Sequence, residues 1–414
     1  MSQDTAAAGA LEGLVVLDFT QVLSGPFCTM MLADQGARVI KIEPPGGDQT
    51  RKFGPFRKGQ LTIENGGYGS YFASTNRNKE SIVVDLKSPA GRDVIMRLAA
   101  KADILVENFR AGVMDRLGLG YETLHKVNPR LVYGTVRGFG DQRSGASPYV
   151  EWPAYDIVAQ AMGGVIGITS TEIGGTPTKI GPGIGDIVPA MQLAFGLVAA
   201  YSRACRTGEG QHVDIAMLDG ILAMCERIIF QHGTDGSVPG PEGNSHPIFC
   251  PYGLFPAKDG WVAIGCPTDA FWKLLANTIG LEAMADDPQY ATAPQRVAAR
   301  ATVEGAVQAW SSQRTKAEIA AIIGNKIPFG PVLRADEIVA DPHFAARDMI
   351  QQVDLPGCPE TPLTIAGTPV KMSETPGGVR HRAPMTGEHT TAILSGFGFT
   401  APEIETLRSS KAVA

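Results

Sequence analysis

Short apolar segments of strand character alternate with helical segments through the first half of the chain, and this alternation constrains the fold more than any other feature. Strands are predicted at 14–17, 39–42, 81–86, 103–106, 131–136 and 212–215. Helices are predicted at 27–36, at 88–102, from Tyr121 and, long and very apolar, at 187–206. Strands joined by helices pair in parallel and are covered on both faces, so the pattern predicts an α/β fold with a Rossmann-like, mainly parallel sheet.

Chain length and a change of character near residue 225 predict more than one domain. The 414 residues exceed the ~250–300 at which a single core stops growing. A hairpin pattern at 253–264 indicates a smaller α+β domain, and prolines recur in the segment that follows it. We expect a large α/β domain at 1–224, a small α+β domain at 225–325, and an extended C-terminal segment at 326–414 that returns to the large domain.

Composition disfavours several classes of function. The 36 basic and 42 acidic residues give a net charge of −6, which offers no general attraction to nucleic acid or an anionic membrane. Six cysteines lack C-x-x-C spacing, and no histidines occur at metal-ligand spacing. The N-terminus lacks the pattern of a signal peptide, and the apolar stretches fall short of the ~20 residues of a membrane helix. We therefore expect a cytoplasmic protein without a metal site.

Asp186 is the strongest candidate for a catalytic residue. It follows the glycine-rich turn 181–185 and opens the long apolar helix. A carboxylate at a helix start can stay ionised and attack a carbonyl carbon, with the N–H groups of Gly183 and Gly185 holding the oxyanion. Aspartate is also a common helix N-cap residue, and the sequence leaves both roles open.

Other candidates for ligand binding have plain structural alternatives. Tyr155 fits a substrate contact or a half-buried core residue. The segment 76–79, Lys87, Arg110 and Arg116 offer amides and cations for a phosphate, or a solvated surface. His246 in the loop 243–247 can donate a hydrogen bond to a carboxylate, or the loop is a simple turn.

Three motifs that would point to other chemistry are missing from the sequence. Neither G-x-G-x-x-G after the first strand nor G-x-x-x-x-G-K-[ST] is present, which disfavours dinucleotide and triphosphate chemistry. A G-x-S-x-G elbow is also missing, which disfavours a serine hydrolase.

Taken together, the motifs resemble the class III, formyl-CoA transferase-like, CoA-transferase family, which also contains α-methylacyl-CoA racemases. The resemblance covers most of the chain, from Leu11 to Thr390. The matching segments, in order, are 17–26, 36–43, 76–79, 106–109, 155–156, 185–186, 207–210, 243–247 and 258–261.

The resemblance implies a reaction and an assembly. The donor acyl group would pass to Asp186, the released CoA thiolate would turn this anhydride into an aspartyl-CoA thioester, and the acceptor carboxylate would collect the CoA. A CoA thioester would be a substrate, with no permanently bound cofactor. Family members are homodimers of interlocked, ring-shaped subunits, so a homodimer is expected here.

The resemblance also assigns roles to individual residues. Asn108, Arg116, Lys87 and Arg77 would contact CoA, and Tyr155, Gln21, Gly243 and His246 would contact the substrates. Racemases carry a histidine in place of Tyr155, and tyrosine, with a pKa near ~10, is a poor base at neutral pH, which favours transfer. Leu23 replaces a glutamine of the formyl/oxalate branch, which favours succinyl-CoA or related dicarboxylates. A racemase-like epimerase and a non-catalytic CoA-binding protein remain the alternatives.

Overall fold

The structure is a computed structural model that describes residues 9–414. Its strands are β1 (Val15–Asp18), β2 (Arg38–Glu43), β3 (Lys79–Val83), β4 (Ile104–Glu107), β5 (Val132–Arg137), β6 (His212–Ala216), β7 (Tyr252–Ala257), β8 (Gly260–Gly265), β9 (Phe329–Pro331), β10 (Ile350–Val353) and β11 (Leu363–Ala366). Its helices up to residue 235 are α1 (Ser24–Asp34), α2 (Ser70–Asn76), α3 (Pro89–Ala99), α4 (Val113–Arg116), α5 (Tyr121–Val127), α6 (Asp156–Met162), α7 (Ile184–Thr207), α8 (Met217–Met224) and α9 (Glu226–Asp235). The later helices are α10 (Asp269–Thr278), α11 (Glu282–Asp286), α12 (Ala293–Ala298), α13 (Arg300–Ser311), α14 (Lys316–Ile323), α15 (Ala335–Ala340), α16 (Pro342–Ala346), α17 (Thr390–Gly396) and α18 (Ala401–Ser409).

Strands β1 to β6 form one sheet in the order β3-β2-β1-β4-β5-β6, and every neighbouring pair in it is parallel. The predicted α/β class with a parallel sheet is therefore confirmed. The chain order reverses between β1 and β4, and sheets of this kind bind ligands in the crevice outside the strand ends at that point. The residues that follow Asp18 and Glu107 thus lie where a ligand is expected.

The core of this sheet explains why its strands read as continuous apolar runs. Leu17, Ile40, Ile82 and Leu105 are fully buried because helices cover the sheet. Helices α17 and α18 pack into the same core, with the buried side chains Ile393, Leu394, Phe397 and Ile404. The prediction of an extended segment at 326–414 is wrong for these parts, because their apolar residues recur at helical spacing and find the sheet.

Helix α7 begins earlier than predicted, with Gly183 as its N-cap residue, and packs against α1, α6, α8, β5 and β6. Its 24 residues and mean hydropathy of 1.5 make it long and apolar enough to cross a membrane by length and composition. The expectation that every apolar stretch is too short is therefore wrong for this segment. A helix at the centre of a folded unit passes the same test, and Ala190, Leu193 and Leu197 are buried within this one.

The chain divides into two compact units. One combines the described part of Met1–Gly164 with Gly181–Glu226 and Pro342–Ala414. It contains the parallel sheet and the antiparallel pair β10-β11. The other combines Val165–Ile180 with Arg227–Asp341, and contains the antiparallel sheet β7-β8-β9 with the helices around its own core. The boundaries predicted after residues 224 and 325 stay a prediction about independently folding domains.

Buried ion pairs connect the strands and helices of the first unit. The pairs are Asp18 with Lys79, Asp48 with Lys41, Glu43 with Arg51, and Asp34 with Arg77. Each charged group here has an opposite charge and further hydrogen bonds, which is the condition under which buried charges are tolerated.

Candidate active site

A cavity of about 380 Å³ opens at the carboxyl ends of the central strands of the parallel sheet. Its wall includes residues that follow β1, β4 and β5, together with the start of α6 and the first turn of α7. Of the candidate site residues, the cavity brings together Gln21, Asn108, Arg110, Tyr155 and Asp186. They come from four separate parts of the sequence, so their meeting is a result of the sheet order.

Asp186 lies in the first turn of α7, two residues after the first helical residue, Ile184. Gly183 occupies the N-cap position of this helix, so the interpretation of Asp186 as its N-cap residue is wrong. No hydrogen bond from any residue in the described range 9–414 reaches the Asp186 carboxylate. Buried polar groups are normally hydrogen bonded, so a partly buried carboxylate without a donor beside a cavity is a candidate for chemistry.

Burial raises the pKa of Asp186 from its ordinary value of 3.8 to about 7, and the negative charge of Asp156 acts in the same direction. The start of a helix opposes this change, since the helix dipole favours negative charge there. The sequence led us to expect a carboxylate that can stay ionised. The structure instead gives Asp186 a pKa of about 7. The sequence does not show the desolvation by α7 and its neighbours that raises this pKa.

The N–H group of Gly185 is not available as an oxyanion donor. It donates a 2.8 Å hydrogen bond to Oδ1 of Asp156, the first residue of α6. The predicted role of the Gly185 N–H group in holding an oxyanion is therefore wrong.

Tyr155 is the N-cap residue of α6 and lines the cavity. It is 62% exposed, so the alternative of a half-buried core residue is wrong. The rings of Phe139 and Trp152 line the same cavity, and both pack on Tyr149, with ring centroids 4.8 to 6.3 Å apart among the three. These rings offer an apolar surface beside the carboxylate of Asp186.

Asn108 shapes the cavity through its contact with the loop after β1. Its Nδ2 donates to the Gln21 carbonyl oxygen at 2.8 Å, and its Oδ1 accepts from the Gln21 N–H at 2.9 Å. The next residue, Val22, has a φ of 70°, which is rare for a β-branched side chain. Sequence reasoning missed Val22 because nothing in the residue type signals this backbone conformation.

A second cavity of about 560 Å³ adjoins the first and shares Gln21 and Phe109 with it. Lys87 and Arg116, both predicted to bind CoA, line this second cavity. Both side chains are exposed, and neither forms an ion pair with a residue in the part of the chain that the structure describes. The two cavities thus share part of their walls, with two cations lining one and Asp186 lining the other.

Arg77 lines neither of these two cavities. It is 4% exposed, and its guanidinium pairs with Asp34 and donates to the Ala366 carbonyl oxygen. Lys79 of the same motif pairs with Asp18. The geometry favours a structural role for Arg77 and Lys79 over the predicted contact of Arg77 with CoA.

Gly243 and His246 lie in the second unit. The His246 ring stacks on Phe249 with centroids 4.7 Å apart, and Arg300 donates to the His246 carbonyl oxygen at 2.7 Å. Burial lowers the pKa of His246, with Arg227 and Arg300 acting in the same direction. The ring is therefore neutral near pH 7.

No group of side chains suited to a metal ion occurs within residues 9–414.

A charged network beside the first cavity was missed at the sequence level. Arg137, at the end of β5, lines the cavity and pairs with Glu107 and Asp141. Burial raises the pKa of Glu107 although Arg137 opposes that change. The signal that could have found this network is the position of Glu107 and Arg137 at the carboxyl ends of neighbouring strands.

The model of CoA-transferase family III matches residues 11–390. The chain belongs to CoA-transferase family III. A succinyl-CoA:mesaconate CoA-transferase of Haloarcula hispanica is 43% identical to it over 396 residues, which are 94% of this chain and 97% of that protein. A succinate-glutarate CoA-transferase of Agrobacterium fabrum is 37% identical over 387 residues, 93% of this chain and 95% of that protein.

The crystal structure of a CAIB/BAIF family protein from Brucella suis is similar to this CoA-transferase with a TM-score of 0.82 and 32% sequence identity. The similarity covers 94% of this chain and 100% of that one. The named relatives are transferases of CoA between acids. The protein is accordingly an enzyme of this class, and the family predicted from its motifs is confirmed.

Proposed function

We propose that this CoA-transferase moves CoA from succinyl-CoA, or a related dicarboxylic thioester, to a carboxylic acid acceptor through covalent intermediates on Asp186. One observation carries the proposal: the Asp186 carboxyl group is partly buried at the cavity, has no hydrogen-bond donor within residues 9–414, and has a pKa raised to about 7 by burial. A carboxylate held in this way is a stronger nucleophile than a solvated one.

The two adjoining cavities suggest how a CoA thioester would lie. Lys87 and Arg116 of the second cavity would hold the phosphates. The pantetheine arm would pass Gln21 and Phe109, which line both cavities, and bring the thioester to Asp186. The aromatic wall of the first cavity would exclude water from the reacting carbonyl group and so limit hydrolysis.

The chemistry begins when a carboxylate oxygen of Asp186 attacks the thioester carbonyl carbon. The C–S bond breaks, CoA leaves as a thiolate, and an acyl-aspartyl anhydride forms. The thiolate then attacks the aspartyl carbonyl carbon, which releases the donor acid and leaves an aspartyl-CoA thioester. The acceptor carboxylate repeats the two steps in reverse order, which restores Asp186. No electron is gained or lost overall, and no nucleotide is consumed.

Arg110 supports a dicarboxylic substrate. It lines the same cavity as Asp186 and is exposed. A second carboxylate on the acyl chain would find this cation at the cavity wall, whereas a simple fatty acyl chain would not use it. The succinyl-CoA transferases among the relatives are consistent with this substrate class.

The test measures exchange of label between succinyl-CoA and a panel of carboxylic acids. Asp186→Asn should lower kcat by at least about 10³-fold, as loss of a covalent nucleophile does. Asp219→Asn is the matched control, since Asp219 lies at the same position in the first turn of α8 but does not line the cavity. It should keep kcat within about threefold.

Three results would contradict the proposal. Full exchange by Asp186→Asn would remove Asp186 from the reaction. Solvent deuterium at the α-carbon of the acyl group, without exchange of CoA between acids, would indicate a racemase-like epimerase. CoA binding without either reaction would indicate a binding protein.

A further inference from the structure

A second carboxylate, Asp156, lies against the first turn of the helix that carries Asp186. Its Oδ1 accepts the Gly185 N–H at 2.8 Å, and Nε2 of Gln160 donates to both of its carboxylate oxygens at 2.9 Å. Asp156 thus binds the residue directly before Asp186 in the chain. Any movement of the Asp156 carboxylate would therefore shift the backbone next to Asp186.

The approach of Asp156 to α7 depends on glycine. A Cβ atom on Gly185 would lie 2.4 Å from the Asp156 carbonyl oxygen and 3.0 Å from its Oδ1. Only a residue without a side chain at 185 allows this contact, so the Gly185-Asp186 pair and Asp156 form one arrangement.

We infer that Asp156 is a positioning residue for Asp186: it fixes the first turn of α7 through Gly185 and places a second negative charge beside the nucleophile. The inference rests on the proposed function. Asp186 loses its charge when it is acylated, so the repulsion from Asp156 acts on the free carboxylate and not on the anhydride or the aspartyl-CoA thioester. Asp156 therefore favours the covalent intermediates over the free enzyme.

Other titratable groups on the elements packed around α7 are few. They are Asp34 and Cys28 of α1, Tyr133 and Arg137 of β5, His212 and Asp214 of β6, and Asp219 of α8. Asp34 pairs with Arg77 and Arg137 with Glu107, while Asp156 is the charge that raises the pKa of Asp186 beyond the effect of burial. Tyr71 of α2 is close enough to be affected by this site: burial raises the pKa of Tyr71, and the charge of Asp186 acts in the same direction.

Two variants separate the positioning effect from the electrostatic effect. Asp156→Asn keeps an oxygen that can accept the Gly185 N–H but removes the charge, whereas Asp156→Ala removes both. Asp103→Asn is the matched control, because Asp103 also accepts a backbone N–H, that of Val15, but at the opposite end of the sheet. The first readout is the pH profile of kcat/KM for CoA exchange, whose acidic limb reports ionisation in the free enzyme.

In wild-type enzyme the acidic limb should lie near the Asp186 pKa of about 7. In Asp156→Asn the limb should move to lower pH by roughly half a unit to one unit, with the plateau within about threefold of wild type. In Asp156→Ala the plateau should also fall by about tenfold or more, because the first turn loses its anchor. The control should match wild type. Profiles of both Asp156 variants that superimpose on wild type would overturn the inference.

A second readout does not depend on activity. Carbodiimides modify protonated carboxyl groups, so the pH midpoint of Asp186 labelling, mapped by peptide mass spectrometry, reports its ionisation directly. A midpoint lower in Asp156→Asn than in wild type supports the inference even if the protein exchanges no CoA, in which case only the proposed function fails. An unchanged midpoint in an enzyme that does exchange CoA would overturn the inference and leave the proposed function standing.

Discussion

Asp18 and Asp186 are two buried or partly buried aspartates of the same unit that the fold treats in opposite ways. Asp18, at the end of β1, is fully buried, binds Lys79 at 2.9 Å and accepts hydrogen bonds from Thr20 and Thr29. Burial by itself would raise its pKa, but Lys79 and Lys41 outweigh that effect and hold the pKa below its ordinary value. Asp186 has neither a cation nor a hydrogen-bond donor in the described residues, and its pKa is raised.

The difference between the two carboxylates indicates which buried charges stabilise the fold and which are available for chemistry. Both oxygens of the Asp18 carboxylate already bind Thr20, Thr29 or Lys79, so neither is available to attack a substrate. The carboxylate of Asp186 lacks partners and lies at a cavity, so the fold maintains it at a cost in stability. Three sets of replacements test this contrast.

Replacement of Asp18 should have the largest effect. Asp18→Asn leaves the buried ammonium of Lys79 beside a neutral amide, and loss of one member of a buried ion pair costs about 3–5 kcal/mol of unfolding free energy. Denaturant unfolding at neutral pH measures the loss. Glu80→Gln is the control, because its pair with Arg38 links β3 to β2 but is partly exposed to solvent, and it should cost less than about 1 kcal/mol. Equal effects of both variants would contradict the contrast.

Replacement of Asp186 should stabilise the fold. Between its ordinary pKa of 3.8 and about 7, the folded chain keeps a proton on Asp186 that the unfolded chain has lost, so wild-type stability falls as pH rises through that window. Asp186→Asn removes this decline. It should therefore be more stable than wild type by about 2 kcal/mol at pH 8, after allowance for the partial exposure of the group.

The measurement is denaturant unfolding of wild type and Asp186→Asn at several pH values from 4 to 8. The two curves should approach each other at the acidic end and separate as the pH rises. If Asp186→Asn is less stable than wild type at pH 8, then Asp186 is a structural carboxylate like Asp18.

Replacement of the cations of the second cavity should have the smallest effect. Lys87→Ala and Arg116→Ala should each raise KM for the CoA thioester about tenfold with little change in kcat, since they hold a part of the substrate remote from the reaction. Lys126→Ala, an exposed lysine of α5 that does not line the cavity, serves as control. An acyl-pantetheine thioester without the nucleotide should be insensitive to all three. An equal rise in KM for that truncated substrate would contradict the placement of the phosphates.

The class of the fold, and the place of Asp186 at the start of a long apolar helix, could be predicted because both depend on local sequence. The strands of the parallel sheet are apolar runs separated by helical segments, and Asp186 follows a glycine-rich turn at the start of an apolar helix. The predicted meeting of Tyr155 with Asp186 rested on the family resemblance. It agrees with their place in one cavity.

The parts that could not be predicted depend on contacts between residues remote in sequence. Asn108 holds Gln21 across 87 positions, and Asp156 reaches Gly185 across 29. Arg77 is a typical phosphate-binding side chain by type, yet its partner Asp34 is 43 positions away and no spacing rule connects them. The raised pKa of Asp186 also results from packing, since burial is its largest cause.

The most direct test of the account is chemical trapping of the covalent intermediate. The enzyme is incubated with succinyl-CoA, treated with hydroxylamine, digested, and the peptides are analysed by mass spectrometry. We expect a hydroxamate on Asp186 that requires succinyl-CoA and is missing from Asp186→Asn and from protein incubated with free CoA. Steady exchange of CoA by an enzyme whose Asp186 stays unmodified throughout would contradict the account.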